Sequence, residues 1–262
     1  MKKFICTRAT DLQSFTDETY PQGSFAFAAL LRAKDIRVNG VRTGKNVPLC
    51  DGDEVVYYTT PTQEAKPSHA VVYEDENIIV CDKFSGVSAE GLLSELCALG
   101  SAFAVHRLDR NTEGLIVYAK SERAAAELVR AFKERRVKKV YLALCRNNFT
   151  KIQACLTAYL KKDSKKASVT VSDTPRKGFV KIVTEYRVVK EEGDAALAEI
   201  TLHTGKTHQI RAHMAHIGCP IVGDEKYGAR RQRLVAKQLS FELSGELSYL
   251  SSKTFTSSFT PQ

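Results

Sequence analysis

No CxxC motif occurs in this chain. Its seven cysteines (Cys6, Cys50, Cys81, Cys97, Cys145, Cys155 and Cys219) are odd in number and stand no closer than ten residues apart. That excludes zinc ribbons and thioredoxin-type redox pairs. No apolar run reaches the roughly 20 residues of a membrane helix. The start, MKKFICTRATDLQ, is basic but lacks the apolar stretch of an export signal. Reduced thiols and a cytoplasmic setting are therefore expected. There is no internal repeat and no low-complexity tract. A hydrophobic content of 43% and a charged content of 26% exclude wholesale disorder, collagen and a disulfide miniprotein.

The chain has 262 residues. At roughly 150 residues per domain, that is one large domain, or a large one and a small one. The formal charge of +9 is unevenly placed. Residues 1–60 carry 8 basic and 7 acidic side chains, a net of +1, whereas residues 61–262 carry 31 and 23, a net of +8. A basic surface attracts phosphate polyanions, although lysines on a solvated face give the same count.

The first 60 residues read as a helix followed by hairpins. Ser24 is placed to cap an apolar helix through Phe25, Phe27, Leu30 and Leu31. Asn39-Gly40 and Asp51-Gly52 are hairpin turn signals. TTPTQEAKPSHA (59–70) has two prolines among polar residues and reads as a linker, placing a small module at 1–60, a linker at 61–70 and a larger domain at 71–262. In that domain, strands are expected at 78–81, 115–119, 140–145, 180–189 and 196–203. Ile182, Thr184, Tyr186 and Val188 share one strand face. Ser121 opens an amphipathic helix whose apolar stripe is Ala125, Leu128, Val129 and Phe132. Its end is crowded with Lys133, Arg135, Arg136, Lys138 and Lys139, a patch that suits phosphates or simply the helix dipole. Lys161, Lys162, Lys165 and Lys166 read as a second basic run in a loop.

Four of the six histidines fall at His203, His208, His213 and His216. His213 and His216 have helical ligand spacing, but no glutamate follows His213 and no third ligand stands out, so no metal is expected. The helix is bounded by Thr207 as N-cap and Gly218 as C′ residue, with Ile210, Met214 and Ile217 buried. Arg211 lies at the edge of that stripe. A cation at a core boundary needs a carboxylate partner from elsewhere. The best candidate is Asp109 in HRLDRNTEGLIVYAK. It stands among His106, Arg107 and Arg110, surroundings that favour an ionised carboxylate and suit a nucleophile. Gly114 lets the chain enter the following strand tightly. Asp109 is equally an ordinary turn residue, Arg211 equally half of a structural salt bridge, and Tyr141 equally a core tyrosine.

HRLDRNTEGLIVYAK, VKKVYLALC and TGKTHQIRAHMAHIGCPIVGDEKYG, in that order, closely resemble the signature segments of RluA-type pseudouridine synthases, in the branch of bacterial large-subunit ribosomal-RNA enzymes. The likeness runs from about Val71 to about Ser251. It implies an α+β fold, a central mixed, mainly antiparallel sheet flanked by helices. It also implies isomerisation of a uridine already in RNA, without cofactor or metal. Asp109 matches the catalytic aspartate, Tyr141 the active-site tyrosine that stacks on the base, and Arg211 the arginine that pairs with the aspartate. His106, Arg107, Leu108, Lys139, Lys206, His208 and Ile210 are implied around the substrate. Lys133, Arg135, Arg136, Lys138, Lys161, Lys162, Lys165 and Lys166, with the cluster at 226–233, are candidates for phosphate contacts.

Two departures from the family pattern are Lys83-Phe84-Ser85-Gly86 in place of a Lys-Pro-x-Gly turn, and Lys206 where arginine is commoner. The first 60 residues resemble only the second half of an S4-like module, through IRVNGVRTG and DGDEVVYY. RNA is the expected partner, ribosomal most readily and transfer RNA as the alternative, and the protein is expected to act as a monomer. A non-catalytic RNA-binding protein of this fold would lack the aspartate or the arginine, and both are present. A glycoside hydrolase would need a second catalytic carboxylate, and no motif supplies one.

Overall fold

The computed structural model describes residues 1–64, 67–163, 168–224 and 232–261. The first unit contains β1 (Lys2–Ile5), β2 (Thr10–Asp11), α1 (Leu12–Thr19), α2 (Pro21–Ala33), β3 (Ile36–Val38), β4 (Val41–Thr43), β5 (Pro48–Leu49) and β6 (Glu54–Tyr57). A four-stranded sheet, in the order β1-β6-β3-β4, packs with both helices around Leu12, Phe15, Leu30, Ile36, Val55 and Tyr57. The Asn39-Gly40 hairpin forms with both residues at positive φ (49° and 77°), the geometry of a two-residue primed turn. Asp51-Gly52 makes no hairpin. β5 pairs with β2, and β6 pairs with β1 and β3. Ser24 does not cap a helix either. Pro21 starts α2 a turn earlier, where its fixed φ is favourable, and Ser24 is buried inside. α1 has no counterpart among the expected elements, and its N-cap Asp11 accepts from the Gln13 and Ser14 amides.

The stretch expected as a linker holds a helical turn, α3 (Pro61–Glu64), and the start of β7 (His69–Glu74). Then come β8 (Ile78–Lys83), α4 (Ala89–Leu99), β9 (Phe103–Ala104), β10 (Glu113–Ala119) and α5 (Glu122–Lys133). The long strands β11 (Val137–Arg146), β12 (Gln153–Asp163), β13 (Ser168–Ser172), β14 (Val180–Glu192) and β15 (Ala195–Leu202) follow. The chain closes with α6 (Gln209–His216), β16 (Leu234–Phe241), a 3-10 helix at Gly245–Ser252 and β17 (Thr254–Thr256). Among the described residues, these strands form one sheet of 11, with the main path β13-β12-β14-β15-β11-β16-β10-β8-β7. β10 and β16 run parallel, and the other paired strands run antiparallel.

Each face of the sheet is covered. α4 and α6 lie on one face, burying Leu92, Leu96, Ile210 and Met214 with Ile79, Tyr141, Tyr186 and Ile200. α5 and the 3-10 helix lie on the other, where Leu128 and Leu247 meet Val80, Leu115, Val117 and Leu239. Each such side chain contributes roughly 1.5–3 kcal/mol on burial. Of the expected apolar stripe of α5, Leu128 is buried and Ala125 and Phe132 pack against the same core, and Val129 alone departs. Ala124, Leu128 and Ala131 are buried, whereas Val129 is 46% exposed. Small residues let α5 sit close to the sheet, so alanines rather than the larger valine face inward. In β14, Ile182, Thr184 and Tyr186 are buried on one face as the alternation implies. All seven cysteines are free thiols.

Candidate active site

The chain between β9 and β10 carries His106 to Thr112 and is fixed at several points. The Thr112 amide donates to the Asp109 carbonyl at 3.0 Å, and the Gln232 side-chain amide donates to the Thr112 hydroxyl at 2.8 Å. At Gly114 the φ is +105°, and a Cβ there would stand 2.7 Å from the Ala236 amide nitrogen and overlap the Ala236 carbonyl. Glycine thus allows the parallel β10–β16 contact that aims this segment at the centre of the sheet.

The opposite wall comes from the β15–α6 segment. The Gln209 amide pins it to β14, accepting from the Thr204 hydroxyl at 2.9 Å and the Lys206 amide at 3.1 Å while donating to the Val183 carbonyl and the Thr184 hydroxyl. The α6 N-cap is His208 rather than Thr207. His208 has a φ of 55° and makes no side-chain cap bond, because Gln209 already satisfies the turn. Gly218 does adopt a positive φ after the helix, as expected of a C′ residue.

Arg211 projects from α6 and meets two carboxylates. It donates to Asp109 at 3.0 Å through one nitrogen, and to Asp224 at 2.6 and 2.8 Å through two others. His208 Nε2 lies 3.8 Å from the same Asp109 oxygen. The partner that a boundary arginine requires is thus Asp109, 102 positions earlier in sequence. The Asp224 side chain is 1% exposed, whereas Asp109 keeps 21% exposure. Burial works against the Arg211 charge, but Asp224 and then Asp109 outweigh it and raise the guanidinium above its usual pKa. A bidentate buried carboxylate therefore holds the arginine still, while its third donor steadies an accessible carboxylate.

These groups line one cavity of about 300 Å³. His106, Arg107, Leu108, Asp109, Lys139, Tyr141, Lys206, His208, Ile210 and Arg211 all contribute to its wall. So do Phe132, expected in the apolar stripe of α5, and Leu202 and Leu234. Tyr141 follows a bulge in β11 against β16, the kind of irregularity that re-aims a side chain next to a site. Burial, then the Asp109 charge, raises the Tyr141 phenol above its usual range, so at neutral pH it carries its proton.

The expected ring of cations around Asp109 is not there. Arg107 reaches out to Glu90 at 3.3 Å, and Arg110 pairs with Asp17. His106 is stacked on Phe132, with ring centroids 4.5 Å apart, and its Nε2 accepts from the Val117 amide at 3.0 Å. Burial, and after it the Lys139 charge, pushes its pKa down to about 3. Packing against a strand amide makes this a neutral ring, so Arg211 rather than His106 pairs with Asp109.

This yields a pH dependence. An unfolded imidazole takes up a proton near its ordinary pKa of 6.5, whereas folded His106 resists until about 3. His213, driven to about 4 by burial and then by His216, acts in the same direction. Between those values the unfolded state binds more protons, so stability falls as pH falls. Denaturant midpoints are expected to drop steadily from neutral pH towards about pH 4, and less steeply for His106→Gln. A flat profile contradicts the neutral assignment.

The basic clusters are divided by the fold. Lys133, Arg135 and Lys138 are exposed beyond α5, whereas Arg136 is tied to Glu134 at 2.8 Å and to the Glu242 carbonyl at 2.9 Å. Lys161 and Lys162 are exposed on β12 rather than in a loop, because their segment pairs with β13. Lys165, Lys166 and residues 226–231 of the third cluster lie outside the described residues. The histidines take separate partners: His203 meets Glu185, His213 meets Thr184 and His216 meets Asp173.

Asp224 and the contact of Arg110 with Asp17 were missed in the sequence. A guanidinium has five donors, so one carboxylate leaves Arg211 underused. That surplus signalled a second acid, and Asp224 lies in the GDEKYG segment already quoted. Asp17 left no comparable sign.

Comparison with known proteins gives the family. The family model described as RNA pseudouridylate synthase matches residues 98–216, which span the Asp109 segment through α6. A ribosomal large subunit pseudouridine synthase C of Rickettsia bellii is 31% identical over 253 residues, 84% of this chain and 83% of that protein. One of the same name from Vibrio cholerae is 29% identical, covering 81% and 75%. The solved structure of human RNA Pseudouridylate Synthase Domain Containing 1 superposes with a TM-score of 0.60 at 25% identity, covering 74% of this chain and 83% of that one. The fold and the relatives are those of enzymes that isomerise uridine in RNA to pseudouridine. The chain belongs to the RluA-type pseudouridine synthases.

Proposed function

We propose that this enzyme acts on uridines of large-subunit ribosomal RNA, with Asp109 at the reacting sugar or base, Arg211 orienting it and Tyr141 under the base. The observation that carries this reading is the 3.0 Å contact of Arg211 with an accessible Asp109 on the wall of the cavity that Tyr141 also lines. The relatives named for the large ribosomal subunit support the substrate class over transfer RNA.

The geometry supports the following chemistry. A uridine in folded RNA must leave its stack to enter a cavity of this depth. Tyr141, Ile210 and Leu108 offer an apolar seat, and ring stacking returns about 1–3 kcal/mol. The N1–C1′ bond then breaks with help from the Asp109 carboxylate. The base turns, C5 bonds to C1′, C5 loses a proton and N1 gains one. Composition and oxidation state are unchanged, so the reaction consumes no oxidant, reductant or co-substrate. Lys139 and Lys206 stand at the cavity, while Lys133, Arg135 and Lys138 face solvent beyond it, placed for RNA phosphates.

Tyr141 keeps its proton, which suits a donor rather than a base. Tyr141→Phe is expected to bind RNA like the parent and to turn over about 100-fold more slowly. Unchanged turnover confines Tyr141 to stacking.

The N-terminal unit is read as a degenerate S4-like module at 1–60 that adds little RNA affinity, given its net of +1. The catalytic domain then occupies 71–262 and works as a monomer in the cytoplasm, where its RNA is made. Among the described residues, no helix is long and apolar enough to cross a membrane. Mapping pseudouridines in RNA from cells with and without this protein tests the assignment. Loss of sites confined to large-subunit ribosomal RNA is expected; loss confined to transfer RNA overturns it.

A further inference from the structure

The segment that carries Asp109 is held from two sides. Its main chain is fixed by the catalytic domain. The Arg110 carbonyl accepts from the Gly86 amide at 3.0 Å and from the buried Lys83 side-chain nitrogen, also at 3.0 Å. Its side chain is fixed by the N-terminal module. The Arg110 guanidinium forms an ion pair with Asp17 of α1 and donates to the Ser24 hydroxyl of α2 at 2.9 Å. Ser24 donates in turn to the other Asp17 oxygen at 2.8 Å, closing a triangle.

The triangle is shielded, with the Arg110 and Asp17 side chains 22% and 15% exposed. The helices around it are in close contact. The Asp17 carbonyl accepts a long bond of 3.4 Å from Ser88, and it occupies the space that a Cβ on Gly91 of α4 would need. A second cavity, of about 250 Å³, lies between α1 and the catalytic segment, and Gln13, Asp17, Asp109 and Arg211 all reach it. The module is thus docked beside the reacting carboxylate, on the residue that follows it in sequence.

We propose that Asp17 and Ser24 are positioning residues for the isomerisation: through Arg110, the N-terminal module fixes the backbone next to Asp109 and so aims its carboxylate. This rests on the reading that Asp109 acts on the flipped nucleotide. Arg211 holds one Asp109 oxygen, so the direction of the carboxylate depends on where the backbone at 109–110 stands. A misplacement of about 1 Å at a reacting group costs on the order of 100-fold in rate. The role also fits the near-neutral charge of the module, which serves the catalytic segment through an acidic residue rather than through cations for phosphate.

Single-turnover rates at saturating enzyme, measured on the full chain beside RNA affinity and thermal melting, test this. Asp17→Asn is expected to slow isomerisation about 10- to 100-fold with RNA affinity unchanged and melting still cooperative, and Asp17→Glu to recover part of the rate. Asp17→Asn added to Arg110→Met is expected to cost nothing further, because the contact is already gone. Should Asp17→Asn fail to fold, Ser24→Ala, which removes one hydroxyl, decides in the same way. Parental rates in Asp17→Asn or Ser24→Ala beside an inactive Asp109→Asn overturn the clamp alone, as do independent losses in the double variant. An active Asp109→Asn overturns the underlying assignment and the clamp with it.

Discussion

Asp109→Asn is expected to abolish pseudouridine formation while RNA binding survives. Asparagine has the shape of aspartate and retains an oxygen able to accept from Arg211, which now stands 3.0 Å from Asp109. What it lacks is the negative charge that assists cleavage of the glycosidic bond. The loss should be about 10⁴-fold or more, the scale met when an essential group of a catalytic set is removed. Affinity should hold, because stacking in the cavity and the surrounding cations are untouched. Release of tritium from C5-labelled uridine reads the chemistry, and filter binding reads the affinity. Full activity in this variant sinks the assignment of Asp109.

Arg211→Met is expected to lose both activity and stability. Arg211 neutralises Asp224, which is 1% exposed, and orients Asp109 with its remaining donor. Removing one partner from a buried pair leaves an uncompensated charge and costs about 3–5 kcal/mol. The expected shift in a urea midpoint is correspondingly large. Arg211→Lys should recover little of either property, because one ammonium cannot fork to two carboxylates in the guanidinium plane. Adding Asp224→Asn to Arg211→Met removes the carboxylate that lost this partner, so stability should return in part while activity stays low. A stable, active Arg211→Met protein contradicts the shared-arginine geometry.

The pairing of Arg211 with Asp109 was legible from pattern alone, whereas Tyr141 and the other wall residues were expected only from the family resemblance. The stripe of Ile210 and Met214 placed Arg211 at a core boundary, and a boundary arginine implies a carboxylate. The polar turn before an apolar strand pointed to Asp109. The alternation in β14 and the Asn39-Gly40 turn were legible for the same reason: each is written in a few adjacent residues. Three features were not. His106 looked like a cation beside Asp109, but its protonation depends on the Val117 amide and the Phe132 ring, contacts that only the fold creates. The buried face of α5 turned on the close approach of small residues to the sheet, so Val129 faces solvent. The Arg110–Asp17 pair joins positions 93 residues apart across two separate cores. No local spacing encodes such a pair, and the helix that carries Asp17 is short, with an Asp11 cap easily read as an ordinary turn residue.

The placement of charge is physically informative beyond its total. Nearly all the excess lies on residues 61–262, which also build the cavity. Exposed Lys133, Arg135 and Lys138 stand near its α5 wall, whereas the N-terminal module meets the catalytic segment through an acidic residue. Under the proposed roles, affinity and alignment would fall to different parts of one chain.

The most direct measurement is tritium release by the purified enzyme from C5-tritiated transcripts of large-subunit ribosomal RNA, with equally labelled transfer RNA beside it. The account predicts release that plateaus at a whole number of equivalents per ribosomal transcript, with none from transfer RNA. Release from transfer RNA alone, or from neither, would contradict it.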